Sequence, residues 1–265
     1  MKGKNDHLKL VNNKNENQSG LKRALRFFGK LIIVVVVVLL LKEGEQFFRI
    51  NSISMEGSLE VSVAELAAAG DINRGKSIFL LDEDKIAEKI KNEHPSVRSV
   101  RIERTLPDQI LIKIDQREPA AYIVTADGYW LVDFNVVPYK NIAEPDDEYL
   151  EIAGISGELV VPGVPLTCSS RREILKEFLS TWQGRDLFEI DKLDMSESYN
   201  LVVYTADNLE IWFGNAKDMH QKMELLGSSM PYISAELEGT RLDVRSGKRL
   251  VLSSAAVIEE REVDP

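Results

Sequence analysis

The chain has 265 residues, of which 44% are apolar and 29% charged, so it suits one or two compact domains of ordinary globular composition. The net charge is −10, but residues 1–30 carry +6 and the remainder −16. Such an acidic body excludes nucleic acid as its main partner, because phosphate binding requires a basic footprint on the folded part. The one cysteine, Cys168, cannot form an internal disulfide, so packing must supply the stability.

The N-terminal region consists of a basic tail and an apolar run. Residues 1–24 are rich in Asn and Lys, which predicts a disordered cytoplasmic tail. We predict a transmembrane signal anchor over residues 25–42, with Arg26 and Lys30 extending their charges to the lipid headgroups. The excess of Lys and Arg before the apolar run places the N-terminus in the cytoplasm and the rest of the chain outside.

A cleaved secretory signal would begin in the same way, with a positive region and a short apolar stretch. The unbroken apolar run over residues 31–41 gives about 16 Å of helix at ~1.5 Å per residue, against a hydrocarbon core of roughly 30 Å. However, residues 42–48 contain no small-x-small site for a signal peptidase. We therefore interpret the segment as an uncleaved, single-pass anchor.

Residues 47–117 predict a small α+β domain. The apolar residues first alternate as a strand over residues 48–55. Two capped helices follow, one after Ser62 and one after Asp82, and a hairpin around the turn at residues 106–108 ends the domain. The order β-α-α-β-β resembles a POTRA domain, a module suited to holding another chain by strand addition.

Residues 118–254 predict a mixed β-sheet domain with amphipathic helices. No linker separates it from the first domain, so we expect the first sheet to continue into it. The predicted elements are hairpins over residues 122–132, 201–213 and 241–252 and helices over residues 174–182 and 219–230. Residues 255–265 form a C-terminal tail.

Catalytic chemistry has no visible basis in this sequence. His7, His94 and His220 are scattered, and the predicted anchor puts the first of them across the membrane from the others. We therefore predict no catalytic residue, no metal and no cofactor. The three tryptophans lie in apolar patterns, which favours core packing over a sugar-binding platform; they are Trp130, Trp182 and Trp212.

Over essentially its whole length the chain resembles the FtsQ/DivIB family of bacterial cell-division proteins. The matching motifs, in order, are Phe47-Phe48-Arg49-Ile50 after the anchor, His94-Pro95-Ser96-Val97, Leu106-Pro107-Asp108, Arg117-Glu118-Pro119, Lys222-Met223-Glu224-Leu225-Leu226 and Leu242-Asp243-Val244-Arg245. One departure is the loop at residues 133–135, which lacks the glycine that the family often has there.

The resemblance implies a non-enzymatic, single-pass type II membrane scaffold of the divisome, enriched at the septum and supporting septum assembly. It also implies binding to FtsB/DivIC-type and FtsL-type bitopic proteins, and through them an indirect link to septal peptidoglycan synthesis. Two other classes compete. A POTRA-bearing translocation component would carry many long alternating strands after the module, and a membrane-tethered hydrolase would need a nucleophile and a base.

The final hairpin is the predicted partner-binding site. No later strand covers its last strand, so one row of backbone N–H and C=O groups stays free for a partner strand, and the basic residues suit an acidic partner. The family resemblance points to the same place. The predicted contact residues are Arg241, Asp243, Arg245, Lys248, Arg249, Leu250, Val251 and Leu252. The alternative is that Arg245 pairs with a nearby carboxylate and the strand is an ordinary edge.

Overall fold

The computed structural model describes residues 27–36, 46–57, 61–183, 187–232 and 240–254. The tails predicted at residues 1–24 and 255–265 lie outside these ranges. The described residues 27–36, called α1, are helical, lie within the predicted anchor and are all exposed. No helix of the described ranges combines the length and the apolar character needed to cross a membrane.

The first sheet has three strands, β1 (Ser52–Glu56), β2 (Val97–Thr105) and β3 (Gln109–Gln116), in the order β1-β3-β2. Strand β3 is central, pairing in parallel with β1 and antiparallel with β2. Its alternating isoleucines, at positions 110, 112 and 114, face one side and are buried. This is the pattern of a sheet with one covered face.

Two helices cover that face. Helix α2 (Val63–Ala69) begins with a capping box in which the Ser62 side chain accepts from the Glu65 amide and the Glu65 carboxylate accepts from the Ser62 amide. Helix α3 (Glu83–Glu93) is capped by Asp82 and buries Ile86 and Ile90. The predicted helices and the β-α-α-β-β order are confirmed.

The strand predicted over residues 48–55 is shorter than expected, because β1 begins only at Ser52. The preceding residues pair instead with the segment that leads into a 3₁₀ turn at Ile78–Leu80. The amide of Ile78 donates to the Phe48 carbonyl at 2.9 Å, and the amide of Ile50 donates to the Lys76 carbonyl at 2.9 Å. The alternation in the sequence cannot distinguish these two kinds of extended pairing.

The second sheet is separate from the first and mixed. Its nine strands run in the order β12-β11-β10-β9-β8-β7-β4-β5-β6. In chain order they are β4 (Ala121–Thr125), β5 (Gly128–Val132), β6 (Pro138–Ile142), β7 (Leu150–Ala153), β8 (Ile190–Asp194), β9 (Leu201–Thr205), β10 (Glu210–Gly214), β11 (Thr240–Asp243) and β12 (Val251–Ser254). The pairs β4–β7, β7–β8 and β10–β11 are parallel.

The expectation that the first sheet continues into the second is therefore wrong. Strand β3 ends at Gln116, and the amide of Arg117 donates to the Ser96 carbonyl rather than to a strand of the second sheet. Pro119 follows and has no N–H to donate to a ladder. The chain then enters β4 in the second sheet.

Helices α4 (Ser169–Trp182) and α5 (Met219–Ser229) pack against one face of the second sheet, here called the inner face. Fully buried strand residues of this core include Ile123, Ile152, Leu193, Val203, Ile211 and Leu242. The residues that alternate with them form the outer face, on which they remain partly exposed over β8 to β11. Over β8 to β11 the sheet thus has one covered and one accessible side, whereas on β4, β5 and β6 a second buried cluster contains Tyr122, Leu131 and Tyr139.

A buried ion pair connects the two cores. Arg117 Nη1 lies 2.6 Å from Asp133 Oδ2, with only 11% and 5% of the two side chains exposed. Arg117 Nε also donates to the Pro95 carbonyl at 3.0 Å, just beyond α3. The other carboxylate oxygen of Asp133 accepts from the amides of Asn135 and Val137 at 2.9 and 3.0 Å. Both charged groups are therefore desolvated but hydrogen-bonded, as buried ions require.

Replacing Arg117 with Met should lower the free energy of unfolding by about 3–5 kcal/mol, because the Asp133 carboxylate would stay buried without its partner. Urea denaturation measures the effect. The matched control is Arg98→Met, since Arg98 pairs with Asp115 at 2.6 Å while about half of each side chain is exposed. That exposed pair should contribute no more than about 1 kcal/mol. Equal losses in the two variants would contradict the prediction.

Candidate partner-binding edge

The final hairpin forms as predicted, with shorter strands and a wider turn. Leu242 lies opposite Leu252, and Asp243 lies opposite Val251. The connection covers residues 244–250 and includes Gly247 at a φ of 66°, a conformation that glycine adopts without strain. Within the part of the chain that the structure describes, β12 pairs only with β11, so its other edge is free.

The direction of the backbone groups on β12 follows from one hydrogen bond. The amide of Val244 donates to the Trp212 carbonyl of β10 at 3.1 Å. Because successive residues of a strand direct their N–H and C=O groups to opposite sides, Asp243 faces β12 and forms a hydrogen-bonded pair with Val251. The N–H and C=O of Leu252 consequently point to the free edge.

Apolar side chains lie on both sides of this edge. Leu250 is half-buried and packs against the core of the second sheet. Val251 is 49% exposed and lies on the outer face, opposite Asp243. Leu252 is 51% exposed and lies on the inner side, opposite the buried Leu242. A strand added to β12 would cover apolar surface on both faces.

On the outer face beside the hairpin, two arginines flank one tryptophan. The guanidinium carbons of Arg241 and Arg245 lie 4.3 and 4.7 Å from the centre of the Trp212 ring. The indole N–H of Trp212 donates to Glu210 at 2.7 Å, and the same carboxylate accepts from Arg241 Nε at 3.3 Å. Strands β10 and β11 bring these side chains together by placing Glu210 opposite Arg241.

Arg245 is also paired with Asp243, as the alternative interpretation of the sequence foresaw. Its Nε lies 3.0 Å from both carboxylate oxygens. This charge-assisted contact lowers the pKa of Asp243 and raises the pKa of Arg245 from their ordinary values. Gly214 makes room for the arginine, since a Cβ there would lie 2.9 Å from Arg245 Cγ.

Lys248 and Arg249 carry the positive charge that the hairpin turn presents to solvent. Both are exposed, and among the described residues neither forms an ion pair with a carboxylate. The Ser246 hydroxyl stabilises the turn that carries these two residues, because it accepts hydrogen bonds from the amides of Lys248 and Arg249. The basic character predicted for the hairpin is therefore concentrated at its turn.

A buried lysine of α5 lies next to the hairpin turn. Lys222, on α5, is 1% exposed, and its Nζ donates to the carbonyls of Phe213 and Asn215 at 2.9 and 2.8 Å. Burial lowers the pKa of Lys222, because removal from water disfavours the charged form. Its Cγ also lies 3.8 Å from the position that a Cβ on Gly247 would occupy. Lys222 thus binds the carbonyls at the end of β10 and packs next to the hairpin turn.

Sequence reasoning missed three residues that shape this edge, Glu210, Trp212 and Lys222. The prediction that Trp212 belongs to the core is wrong, because it lies on the outer face; Trp182 does pack against the core. A signal for Lys222 was present, since it falls on the apolar face of α5 with Met219, Met223 and Leu226. A lysine on such a face must find acceptors when it is buried.

The histidines considered for catalysis lie in different elements. His94 follows α3 beside the first sheet, whereas His220 lies on α5, where it is exposed and 3.1 Å from Glu224. Among the described residues, no group of three His, Cys, Asp or Glu side chains could hold a metal ion.

The comparison with known proteins matches the architecture described above. A family model described as "POTRA domain, FtsQ-type" covers residues 48–117, which include the first sheet and its helices. These features define a POTRA-bearing protein, and its relatives are bacterial cell-division proteins. The chain belongs to the FtsQ/DivIB family of bacterial cell-division proteins, which confirms the resemblance stated above.

Several relatives extend this similarity beyond the POTRA domain. The cell division protein FtsQ of Syntrophotalea carbinolica is 26% identical over 219 residues, covering 81% of this chain and 76% of its own length. The cell division protein DivIB of Clostridium acetobutylicum is 26% identical over 181 residues, or 67% of this chain and 71% of its own. DivIB of Bacillus subtilis is 33% identical over 100 residues, or 37% and 38% of the two chains.

Replacing Lys222 with Met should lower the free energy of unfolding by about 2–4 kcal/mol, because two buried carbonyls would lose a charged donor. Thermal and urea unfolding of the full chain measure this loss. Lys217→Met is the control, because Lys217 is exposed and lies just before α5. This substitution should change the free energy of unfolding by less than about 0.5 kcal/mol. A Lys222→Met variant as stable as this control would refute the assigned role.

Proposed function

We propose that this cell-division protein is a membrane-anchored, non-enzymatic scaffold whose free β12 edge binds an FtsB/DivIC-type protein by strand addition. An FtsL-type protein joins the same complex, and both connect the chain indirectly to septal peptidoglycan synthesis. The anchor places residues from about 45 onward outside the cytoplasm.

The observation that carries this proposal is the edge of β12 that pairs with no other strand among the described residues. Leu252 directs its N–H and C=O away from β11, and an unpaired row of backbone groups is a template for another strand. Natural proteins usually protect such edges with proline, charge or a covering loop. Here the edge instead carries Val251 and Leu252, each about half exposed. An edge with this composition fits strand addition.

Charge adds selectivity to this edge. Lys248 and Arg249 lie at its turn on a chain whose net charge is −10. A partner segment with acidic residues beside its added strand would meet an opposite potential there, which speeds encounter and disfavours basic partners. Arg241 and Arg245 contribute less to this potential, because each pairs with a carboxylate of its own sheet.

A membrane-tethered hydrolase is the competing class of function. Its chemistry would need a nucleophile held next to a base. Cys168 and His220 are the one cysteine and the one histidine of residues 118–254, and they belong to different helices: Cys168 lies at the N-cap of α4, whereas the exposed His220 is paired with Glu224 on α5. The free edge therefore supports a binding function better than a catalytic one.

The decisive test replaces Leu252 with Pro, which removes the outward N–H while leaving the hydrogen-bonded pair of Asp243 and Val251. We expect affinity for the soluble part of the FtsB/DivIC-type partner to fall at least roughly tenfold, because an unmade backbone bond leaves a buried carbonyl unsatisfied at about 1–3 kcal/mol. Binding of the full chain in detergent is measured by calorimetry, with circular dichroism to verify the fold.

Leu252→Ala is the matched control. It removes the same side chain but keeps the backbone donor, so we expect a smaller loss of affinity than with proline. If the proline and alanine variants bind alike, the backbone of β12 does not pair with the partner. If both bind as tightly as the unaltered chain, the site lies elsewhere.

The topology is tested with a single external thiol. Tyr199 is 71% exposed in the connection between β8 and β9, and Cys168 is the only native cysteine. In a Cys168→Ser background, a cysteine at position 199 should react with a membrane-impermeant maleimide in intact spheroplasts. Reaction only after the cells are lysed would place this part of the chain in the cytoplasm and contradict the proposed orientation.

A further inference from the structure

An exposed aromatic patch lies at the end of the first domain nearest to α1 in the chain. We call it the proximal patch and define it by Phe47, Phe79 and Leu80, which are 63%, 55% and 84% exposed. Phe48 links its parts, because its ring centre lies 5.4 Å from that of Phe47 and 5.2 Å from that of Phe79. Phe48 itself packs against the core of the first sheet. Large apolar side chains grouped at a surface indicate an interaction site.

Backbone hydrogen bonds hold the proximal patch in shape. The carbonyl of Phe48 accepts from Ile78, and the amide of Leu80 donates to the Ser77 carbonyl at 3.2 Å. An isolated bridge pairs Arg49 with Ser77. The two segments that supply the patch are thus joined on each side of Phe48. A preformed surface loses little conformational entropy when it docks.

Two arginines lie beside the proximal patch. Arg49 and Arg74 line an open cavity of approximately 450 Å³ together with Phe47 and Pro107. Among the described residues neither arginine pairs with a carboxylate, although Asp108 lines the same cavity. Apolar side chains next to Lys or Arg are typical of surfaces that rest on the headgroup region of a bilayer, where the apolar part enters and the cations meet anionic headgroups.

The apolar segment before the first domain indicates that the proximal patch meets a lipid bilayer. All ten residues of α1 are exposed, and the apolar sequence continues to Leu41. From residue 36, the last described residue of α1, to Gln46 the chain can span at most about 36 Å, at roughly 3.6 Å per residue. If α1 belongs to the anchor, the proximal patch is confined close to the membrane. Such tethering gives a weak surface contact a high effective concentration.

We propose that the proximal patch docks the first domain onto the bilayer surface, with Phe47, Phe79 and Leu80 entering the headgroup boundary and Arg49 and Arg74 contacting anionic headgroups. This inference rests on the proposed membrane anchoring of the chain. Docking would restrict how the domain is oriented above the anchor. It would also leave the β12 edge, which lies in the other sheet, available to partners.

The experiment uses the full chain reconstituted in phosphatidylcholine vesicles with brominated acyl chains, with or without phosphatidylglycerol. A fluorophore is attached at Leu80→Cys or, as the control, at Tyr199→Cys, both in the Cys168→Ser background. Serine is a favoured residue at a helix N-cap, where Cys168 lies, so this background should fold normally. We expect the lipid to quench the probe at position 80 several-fold more strongly than the probe at position 199.

The arginines are tested in the same vesicles. In the presence of phosphatidylglycerol, each of Arg49→Gln and Arg74→Gln should lower the ratio of docked to undocked chain roughly fivefold, the contribution of one basic residue near an anionic surface. In phosphatidylcholine alone the same variants should change quenching little. Equal effects in both lipids would overturn the assignment of headgroup contact to the arginines.

Two outcomes separate failure of this inference from failure of the anchoring on which it rests. A chain that does not float with the vesicles refutes the anchoring. A chain that floats while both probes stay equally unquenched refutes the proximal patch alone. Quenching at position 80 that appears only at high protein-to-lipid ratios would show that a second copy of the chain brings this position to the lipid, and would also overturn the proposal.

Discussion

The first domain and the second sheet are joined through one buried carboxylate, that of Asp133. Asp133 receives the Arg117 guanidinium on one oxygen and two loop amides on the other. Arg117 also donates to the Pro95 carbonyl, just beyond the second helix of the first domain. The same two side chains therefore close the loop after β5 and join both cores. Burying two charges is costly, and the hydrogen bonds on every side are what make it tolerable.

The loop closed by Asp133 also contains a strained residue. Val136 has a φ of 58°, where a β-branched residue is rare, yet its side chain is fully buried. Apolar burial and the two amide bonds to Asp133 offset this backbone strain, so the loop is determined by its surroundings. The sequence shows a missing glycine near residues 133–135, but it cannot show which residue would take the left-handed conformation in its place.

Local patterns predicted most of the architecture. The capping residue Ser62, the apolar faces of α4 and α5 and the hairpin turns are signals within a few residues, and the structure has them. Strands β6, β7 and β8 were not predicted, because they have only four or five residues and three of the five residues of β8 are charged. Parallel pairs such as β4 with β7 join segments that are distant in the chain, so the local periodicity of apolar residues cannot predict them.

The candidate edge was located from chain order, whereas its chemistry needed the sheet. Four basic side chains near the hairpin look equivalent in the sequence, but Arg241 and Arg245 stack on Trp212 and pair with Glu210 and Asp243. Paired, partly desolvated cations stiffen the outer face, and only Lys248 and Arg249 remain to act at a distance. Exposed charges mainly affect the rate at which two proteins associate. The affinity for a partner strand at β12 must therefore come from backbone hydrogen bonds and from apolar contact with Val251 and Leu252.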